Sequence, residues 1–160
     1  MSRPPRTSTV TKRSKPVLDV EVPLPPPKGH LRRHSYVTYP TVAYSEWLDI
    51  AHQIVDNLLP EEPYTGAFKV TLNCSLTKRQ RDVANYIEAV LDMLGGTMVH
   101  KRQLTRLGKK LYRDDSQVEE VHAKVERLVQ NNPSVRIVAE QIESRRDTAG
   151  KSRRKQASNN

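Results

Sequence analysis

Apolar residues recur with two different periods along this chain, and the order of these periods limits the folds open to it. Between residues 41 and 59 apolar side chains return every three or four positions, the period of an amphipathic helix. Residues 17–22 and 68–74 instead alternate apolar and polar side chains, as strands do when one face is buried. Residues 134–142 read as a last strand. The chain therefore combines helices with strands.

A second helix is predicted to begin at Asp82, a residue type favoured at the N-cap, and to close at Gly95 and Gly96. Residues 118–125 fit either a strand or a helix, and residues 34–39 fit a second short strand. Strands and helices thus alternate without the regular spacing of a doubly wound sheet. We expect an α+β fold, a small mixed β-sheet with two main helices packed on it.

The net charge of +9 is distributed unevenly. Residues 1–16 contain five basic residues and no acidic one, and residues 145–160 contain six basic residues and one acidic one, so each end carries +5. The interval 17–144 therefore carries a net −1. We expect disordered basic arms over residues 1–16 and 144–160, flanking a domain at 17–143. Basic arms on a neutral body favour a nucleic-acid partner, and the alternative is that they only keep the protein soluble.

The only cysteine, Cys74, lies in the strand predicted at 68–74, so we expect a buried core side chain rather than a nucleophile. A single cysteine excludes an internal disulfide and fits a reducing compartment. No apolar run approaches the ~20 residues of a membrane span, and the basic N-terminus lacks the apolar core of a secretory signal. We expect a soluble, cytoplasmic protein. The sequence also contains no Walker loop, dinucleotide glycine pattern or Ser-His nucleophile motif.

Acidic residues in two distant segments lie close to basic ones. Asp82 follows a basic cluster directly, and Asp114 and Asp115 form a pair in a later loop. Carboxylates from two segments can converge on a divalent cation, while nearby basic side chains hold a phosphate backbone. Each acid taken singly also has a structural explanation, because Asp is common at N-caps and in turns.

Taken together, these residues resemble the RusA family of Holliday-junction resolvases. The resemblance rests on the run Arg79-x-Arg81-Asp82-x-x-Asn85, on Asp92 in the same helix, and on the run Asp114-Asp115-Ser116-Gln117-Val118. The strand and proline turn at residues 22–26 are also similar to that family's opening segment. The resemblance covers roughly residues 17–143. It implies a RusA-like homodimer that uses Mg²⁺ to cut four-way DNA junctions symmetrically.

The resemblance also assigns roles to individual residues. It makes Asp82 and Asp115 metal ligands, with Asp114 beside them, and gives Asp92 and Glu88 a supporting place in the catalytic site. The side chains that would hold DNA are Lys78, Arg79, Arg81 and Asn85. A bacterial cell or a phage-infected host is the setting that such a resolvase implies.

Two positions depart from the family pattern. The family motif has a second Asp where this chain has Ala84, and a Lys where it has Glu88. Residues four apart on a helix are separated by about 40°, so both positions share one face. Glu88 is one replacement for the lost carboxylate, with a lysine from residues 101–110 replacing the lost cation. The alternatives are that Ala84 is an engineered substitution, or that the chain is a natural variant that binds junctions and cuts them poorly.

Residues 97–113 form an insertion that is longer than the family's usual connection, with six basic residues and no acidic one. Leu104, Leu107 and Leu111 predict a short helix, although Gly108 counts against it. So many cations without an acid favour contact with DNA over a solvated loop. The residues expected to make that contact are Lys101, Arg102, Arg106, Lys109 and Lys110.

Overall fold

The computed structural model of this protein describes residues 15–26, 31–34, 37–77, 83–96, 98–100, 103–105, 108–127 and 132–144. These residues form a small α+β fold with a four-stranded mixed sheet, two α-helices and two short hairpins. The elements are β1 (Leu18–Pro23), β2 (Leu31–His34), β3 (Val37–Pro40), α1 (Val42–Val55), β4 (Ala67–Leu76), α2 (Val83–Leu94), β5 (Met98–His100), β6 (Gln103–Thr105), the 3₁₀ helix η1 (Asp115–Gln117), β7 (Val118–Arg127) and β8 (Ser134–Ile142).

The main sheet has the strand order β1-β8-β4-β7. β8 is antiparallel to both of its neighbours, whereas β4 and β7 are parallel. One row of paired residues crosses the sheet from Val20 through Ile137 and Leu72 to Ala123. Ile137 and Leu72 are fully buried, while Ala123 is exposed. The helices therefore cover the centre of the sheet and leave β7 at an open edge.

The core lies between one face of this sheet and the two helices. Cys74 on β4 is fully buried, which confirms the predicted core position. Trp47 of α1 is 5% exposed, and its indole Nε1 donates a hydrogen bond to the carbonyl oxygen of Pro23 at 2.8 Å. This bond ties α1 to the end of β1. Within the described residues, no helix has the length and apolar character needed to cross a bilayer.

Three predicted elements differ from the structure. The first helix ends at Val55 rather than at residue 59, because the next residues form tight turns in which the backbone N–H groups of Leu58 and Leu59 both donate to the Val55 carbonyl. Residues 31–40 contain a two-stranded hairpin instead of one short strand. The helix predicted within residues 97–113 is wrong, since residues 98–105 contain the hairpin β5–β6.

Gly96 explains why residues 97–113 do not form the predicted helix. Gly96 ends α2 with a φ of 77°, a conformation that favours glycine, and the chain reverses there. The N–H of Gly108 returns to the carbonyl oxygen of Gly96 at 3.3 Å. The two ends of the intervening segment are thus fixed side by side, and a hairpin meets that constraint whereas one continuous helix does not. Residues 118–125, for which the sequence fits either a strand or a helix, belong to strand β7.

Candidate functional site

Backbone hydrogen bonds fasten the double-aspartate turn to the C-terminal end of α2. The N–H of Leu111 donates to the carbonyl oxygen of Leu94 at 2.9 Å. The hydroxyl of Tyr112 donates to the carbonyl oxygen of Leu91 at 2.7 Å. Leu111 and Tyr112 are both buried and Leu91 is half-buried, so these bonds are partly shielded from water. The segment that leads into Asp115 is therefore held beside the helix.

A hollow of about 380 Å³ lies between α2 and this turn. Three carboxylates line it, from Glu88 and Asp92 of α2 and from Asp115 of the turn. Ala84 lines the same hollow. The remaining lining residues are Ile87, Leu91, Tyr112 and Val118. Acidic residues from two distant segments of the sequence thus meet at one place in the fold.

The carboxylate of Asp115 is directed toward the end of α2. Its Oδ1 lies 3.4 Å from the point where a Cβ atom would stand on Gly95, so glycine leaves room for it there. Asp115 and Glu88 are exposed and Asp92 is half-buried. Oxygen ligands at an open surface suit Mg²⁺, which keeps several of its waters and usually takes one or two protein carboxylates. The residues present fit that ion in their chemistry.

The described residues contain no group of three or more acidic, histidine or cysteine side chains arranged to hold a metal ion. Asp82, the other predicted ligand, lies outside them, as do the predicted DNA contacts Lys78, Arg79 and Arg81. The pairing of Asp82 with Asp115 therefore stays a prediction.

Asp114 has a different position from its neighbour. Its side chain accepts a hydrogen bond from the N–H of Ser116 at 2.8 Å and caps η1. It does not line the hollow. The structure thus separates the aspartate pair, with Asp114 fixing the turn and Asp115 facing α2.

Gln117 completes this turn, a role that the motif run containing it does not assign. Its Oε1 accepts hydrogen bonds from the N–H groups of Arg113 at 2.7 Å and Asp114 at 3.0 Å. Its Nε2 donates to the carbonyl oxygens of Tyr64 and Gly66. One side chain therefore fastens the turn to itself and to the segment before β4. The signal was present, because an Asp followed three residues later by Gln is the pattern of a capping box.

The carboxylates of the hollow also act on the core beneath them. Burial raises the pKa of the Tyr44 hydroxyl well above its usual range, and the negative charges of Asp92 and Glu88 raise it further. Tyr44 is fully buried on α1 and stacks on Trp47 with ring centroids 5.8 Å apart. The phenol is therefore neutral at neutral pH. It brings no additional negative charge to the hollow.

The other predicted DNA contacts are dispersed. Asn85 lies in the first turn of α2 and is half-buried. The Nζ of Lys109 lies 2.7 Å from Oε1 of Glu61, so this lysine is engaged in an ion pair. The side chain of Lys110 packs over Gly96. Lys101, Arg102 and Arg106 lie outside the described residues.

Comparison with known proteins gives no matching family model and no matching curated protein. The resemblance to RusA resolvases therefore rests on the motif residues alone.

Proposed function

We propose that this protein is a RusA-like Holliday-junction resolvase, a Mg²⁺-dependent and structure-selective DNA endonuclease that acts as a homodimer in recombination and repair. The cytoplasm of a bacterial cell or of a phage-infected host is the setting that this activity needs. One observation carries the proposal. Asp115 from the double-aspartate turn faces the same hollow as Asp92 and Glu88 of α2. This is the convergence that two acidic segments must achieve to serve one metal site.

The roles of the residues follow from their positions. Asp115, together with Asp82, would hold Mg²⁺, and Asp92 and Glu88 would bind its coordinated waters. When bound, the ion orients and activates a water molecule and stabilises the charge that develops on the phosphate. Asp114 and Gln117 hold the turn, so that Asp115 keeps its direction without a reorganisation on substrate binding. Lys78, Arg79 and Arg81 would grip the phosphates of the strand to be cut.

The second candidate is a branched-DNA-binding protein with weak or no cleavage. Ala84 is the observation that favours it. This residue lines the hollow at the position where the resemblance expects a carboxylate, so the acid on this face of α2 stands one turn later, at Glu88, where the family has a lysine. Loss of one ligand from a site for phosphoryl transfer lowers the rate by orders of magnitude.

Cleavage of an end-labelled four-way junction in the presence of Mg²⁺ distinguishes the candidates. The wild-type protein is compared with Asp115→Asn and with Asp49→Asn, which removes an exposed carboxylate from α1. Paired, symmetric nicks that vanish only in Asp115→Asn support the nuclease. Selective junction binding without nicks at any Mg²⁺ concentration supports the second candidate. Equal affinity for junction and linear duplex overturns both.

A further inference from the structure

β7 is an edge strand that is exposed over most of its length. Among the described residues it pairs only with β4, and residues 121–127 are all exposed. Its outer row of backbone N–H and C=O groups is thus available for another strand. Ten residues is long for an edge strand, and its pairing with β4 is regular from Glu120 onward, after a shift of register at its start. Long regular edges tend to recruit further strands.

One face of this strand continues the core. Val121, Ala123 and Val125 lie beside Val70, Leu72 and Cys74 of β4. The three β4 residues are fully buried, whereas Val121 is 41% and Val125 42% exposed. Cover by the helices therefore ends one strand short of the sheet edge, and an apolar strip remains.

The other face carries charges of both signs in alternation. Glu120, His122 and Lys124 follow one another on that side, and the Nε2 of His122 lies 3.5 Å from Oε2 of Glu120. Lys124 makes no ion pair within the described part of the chain and lies beside Asn73 of β4. The strand therefore presents an acid and a base at equal distances on either side of His122.

We propose that β7 pairs antiparallel with β7 of a second copy of this chain, about a two-fold axis at His122. In this register Glu120 lies opposite the partner's Lys124, and by symmetry Lys124 lies opposite the partner's Glu120. Opposite charges directly across an antiparallel pair are favourable. On the other face Val121 lies opposite the partner's Ala123, so the two apolar strips lie side by side and form one continuous strip. The two sheets join into one of eight strands, and the contact is closed by its own symmetry.

Registers shifted by one residue in either direction pair the charged side chains less favourably. An axis at Ala123 places Glu120 opposite the partner's Glu126, a repulsive pair that the symmetry repeats, and leaves Lys124 without an acid opposite it. An axis at Val121 places Glu120 opposite the partner's His122 and leaves Lys124 without an acid opposite it. The pairing of opposite charges therefore favours the register with its two-fold axis at His122.

The pairing has a consequence for the hollow. Val118 begins β7 and also lines the hollow beside Asp115. The register of β7 against β4 shifts just after Val118, which pairs with Phe68 while His122 pairs with Thr71. Val118 therefore lies three strand steps from the axis, and the two hollows are separated by about 20 Å along the strand direction. They are related by a two-fold axis, as two cuts in a two-fold symmetric junction require. This consequence rests on the proposed function, whereas the pairing itself does not.

Single-cysteine variants test the register. The chain's own cysteine, Cys74, is buried and does not interfere. His122→Cys places two thiols directly across the axis, where Cα atoms about 4.5–5.5 Å apart permit a disulfide. We expect nearly complete dimer formation on mild oxidation of His122→Cys, and little for Val121→Cys or Ala123→Cys. Preferential cross-linking of either control overturns the register, and absence of cross-linking in all three overturns the pairing.

The mass in solution is a second test, made without DNA or metal. We expect twice the 18.3 kDa of one chain. Val121→Lys places a charge in the joined apolar strips and should weaken the dimer by on the order of tenfold or more. Val42→Lys is the matched control, since Val42 is 74% exposed at the start of α1, and should leave the mass unchanged.

A monomeric wild-type chain, or equal effects of the two substitutions, overturns the pairing and leaves the carboxylate hollow untouched. A stable dimer that neither binds nor cuts junctions overturns the proposed function and leaves the pairing standing.

Discussion

The hydroxyl of Tyr112 donates a 2.7 Å hydrogen bond to the carbonyl oxygen of Leu91, and this contact joins the segment that carries Asp115 to the helix that carries Asp92. The same carbonyl accepts from the N–H of Gly95 at 2.9 Å, so it serves the helix and the turn together. The two acidic segments are therefore held together by hydrogen bonds within the fold, before any ion is bound.

Tyr112→Phe should lower the free energy of unfolding by about 1 kcal/mol, because it removes one hydrogen bond and keeps the buried ring. Tyr64→Phe is the control. Tyr64 also packs against Phe68, and its hydroxyl makes no hydrogen bond to the described residues. Denaturant unfolding of both variants measures the difference. Equal losses would show that the Tyr112 hydroxyl does not anchor the turn.

Substitutions in the aspartate pair should separate stability from activity. Asp114→Ala removes the cap of η1 and should cost about 1 kcal/mol of stability, which Asp114→Asn restores because Asn also caps well. Asp115→Asn should change stability by less than about 0.5 kcal/mol and abolish cleavage. Unfolding curves and junction cleavage, measured on the same three proteins, check this. A large loss of stability in Asp115→Asn would assign that carboxylate to the fold instead.

The sequence alone predicts most of the main sheet and both helices, because alternation and the helical period report directly on which face is buried. Val20, Leu72 and Ile137 belong to strands that this pattern identifies. It fails over residues 97–113, where three leucines at helical spacing are outweighed by the chain reversal at Gly96. Spacing is local, whereas that reversal depends on the contact between Gly96 and Gly108.

The candidate site is predicted in part for a related reason. The motif residues indicate that Asp92 and Asp115 belong together, and the hollow contains both. The different orientations of Asp114 and Asp115 follow from the hydrogen bonds of one short turn, which spacing does not specify. The exposed strip on β7 was likewise hidden, since Val121 and Val125 look like core residues until the helices are seen to stop short of them.

Gly96→Ala should be more destabilising than Gly66→Ala. Both glycines have positive φ, 77° and 96°, so each substitution carries a similar backbone strain of about 1 kcal/mol. A Cβ on Gly96 would also stand 2.8 Å from the carbonyl oxygen of Gly108, whereas nothing lies within 4 Å of one on Gly66. The difference in unfolding free energy therefore isolates the close approach of the two segments. Indistinguishable values would mean that residues 108–110 move away at little cost.

Ala84→Asp should restore cleavage or increase it at least tenfold, because it returns a carboxylate to the lining of the hollow. Ala43→Asp adds the same charge at an exposed position on α1 and should leave the rate unchanged. Single-turnover cleavage across a Mg²⁺ titration measures both the rate and the apparent affinity for the ion. No gain from Ala84→Asp, combined with loss of activity in Glu88→Gln, would identify Glu88 as the replacement carboxylate.

Removal of residues 1–16 and 145–160 should weaken junction binding and reduce its dependence on salt. These segments contain eleven of the basic residues, and each phosphate contact that is lost lowers the slope of log K against log[salt] by about 0.9. The truncation keeps Val17, whose N–H donates to the carbonyl oxygen of Ala139 at 2.9 Å, so the pairing of β1 with β8 is preserved.

Binding of the full and truncated chains is compared between 50 and 200 mM salt, the range over which about six to ten phosphate contacts change affinity by orders of magnitude. We expect the slope to fall by several units while the unfolding curve is unchanged. An unaltered slope would assign the phosphate contacts to the body of the protein, where Lys78, Arg79 and Arg81 precede α2.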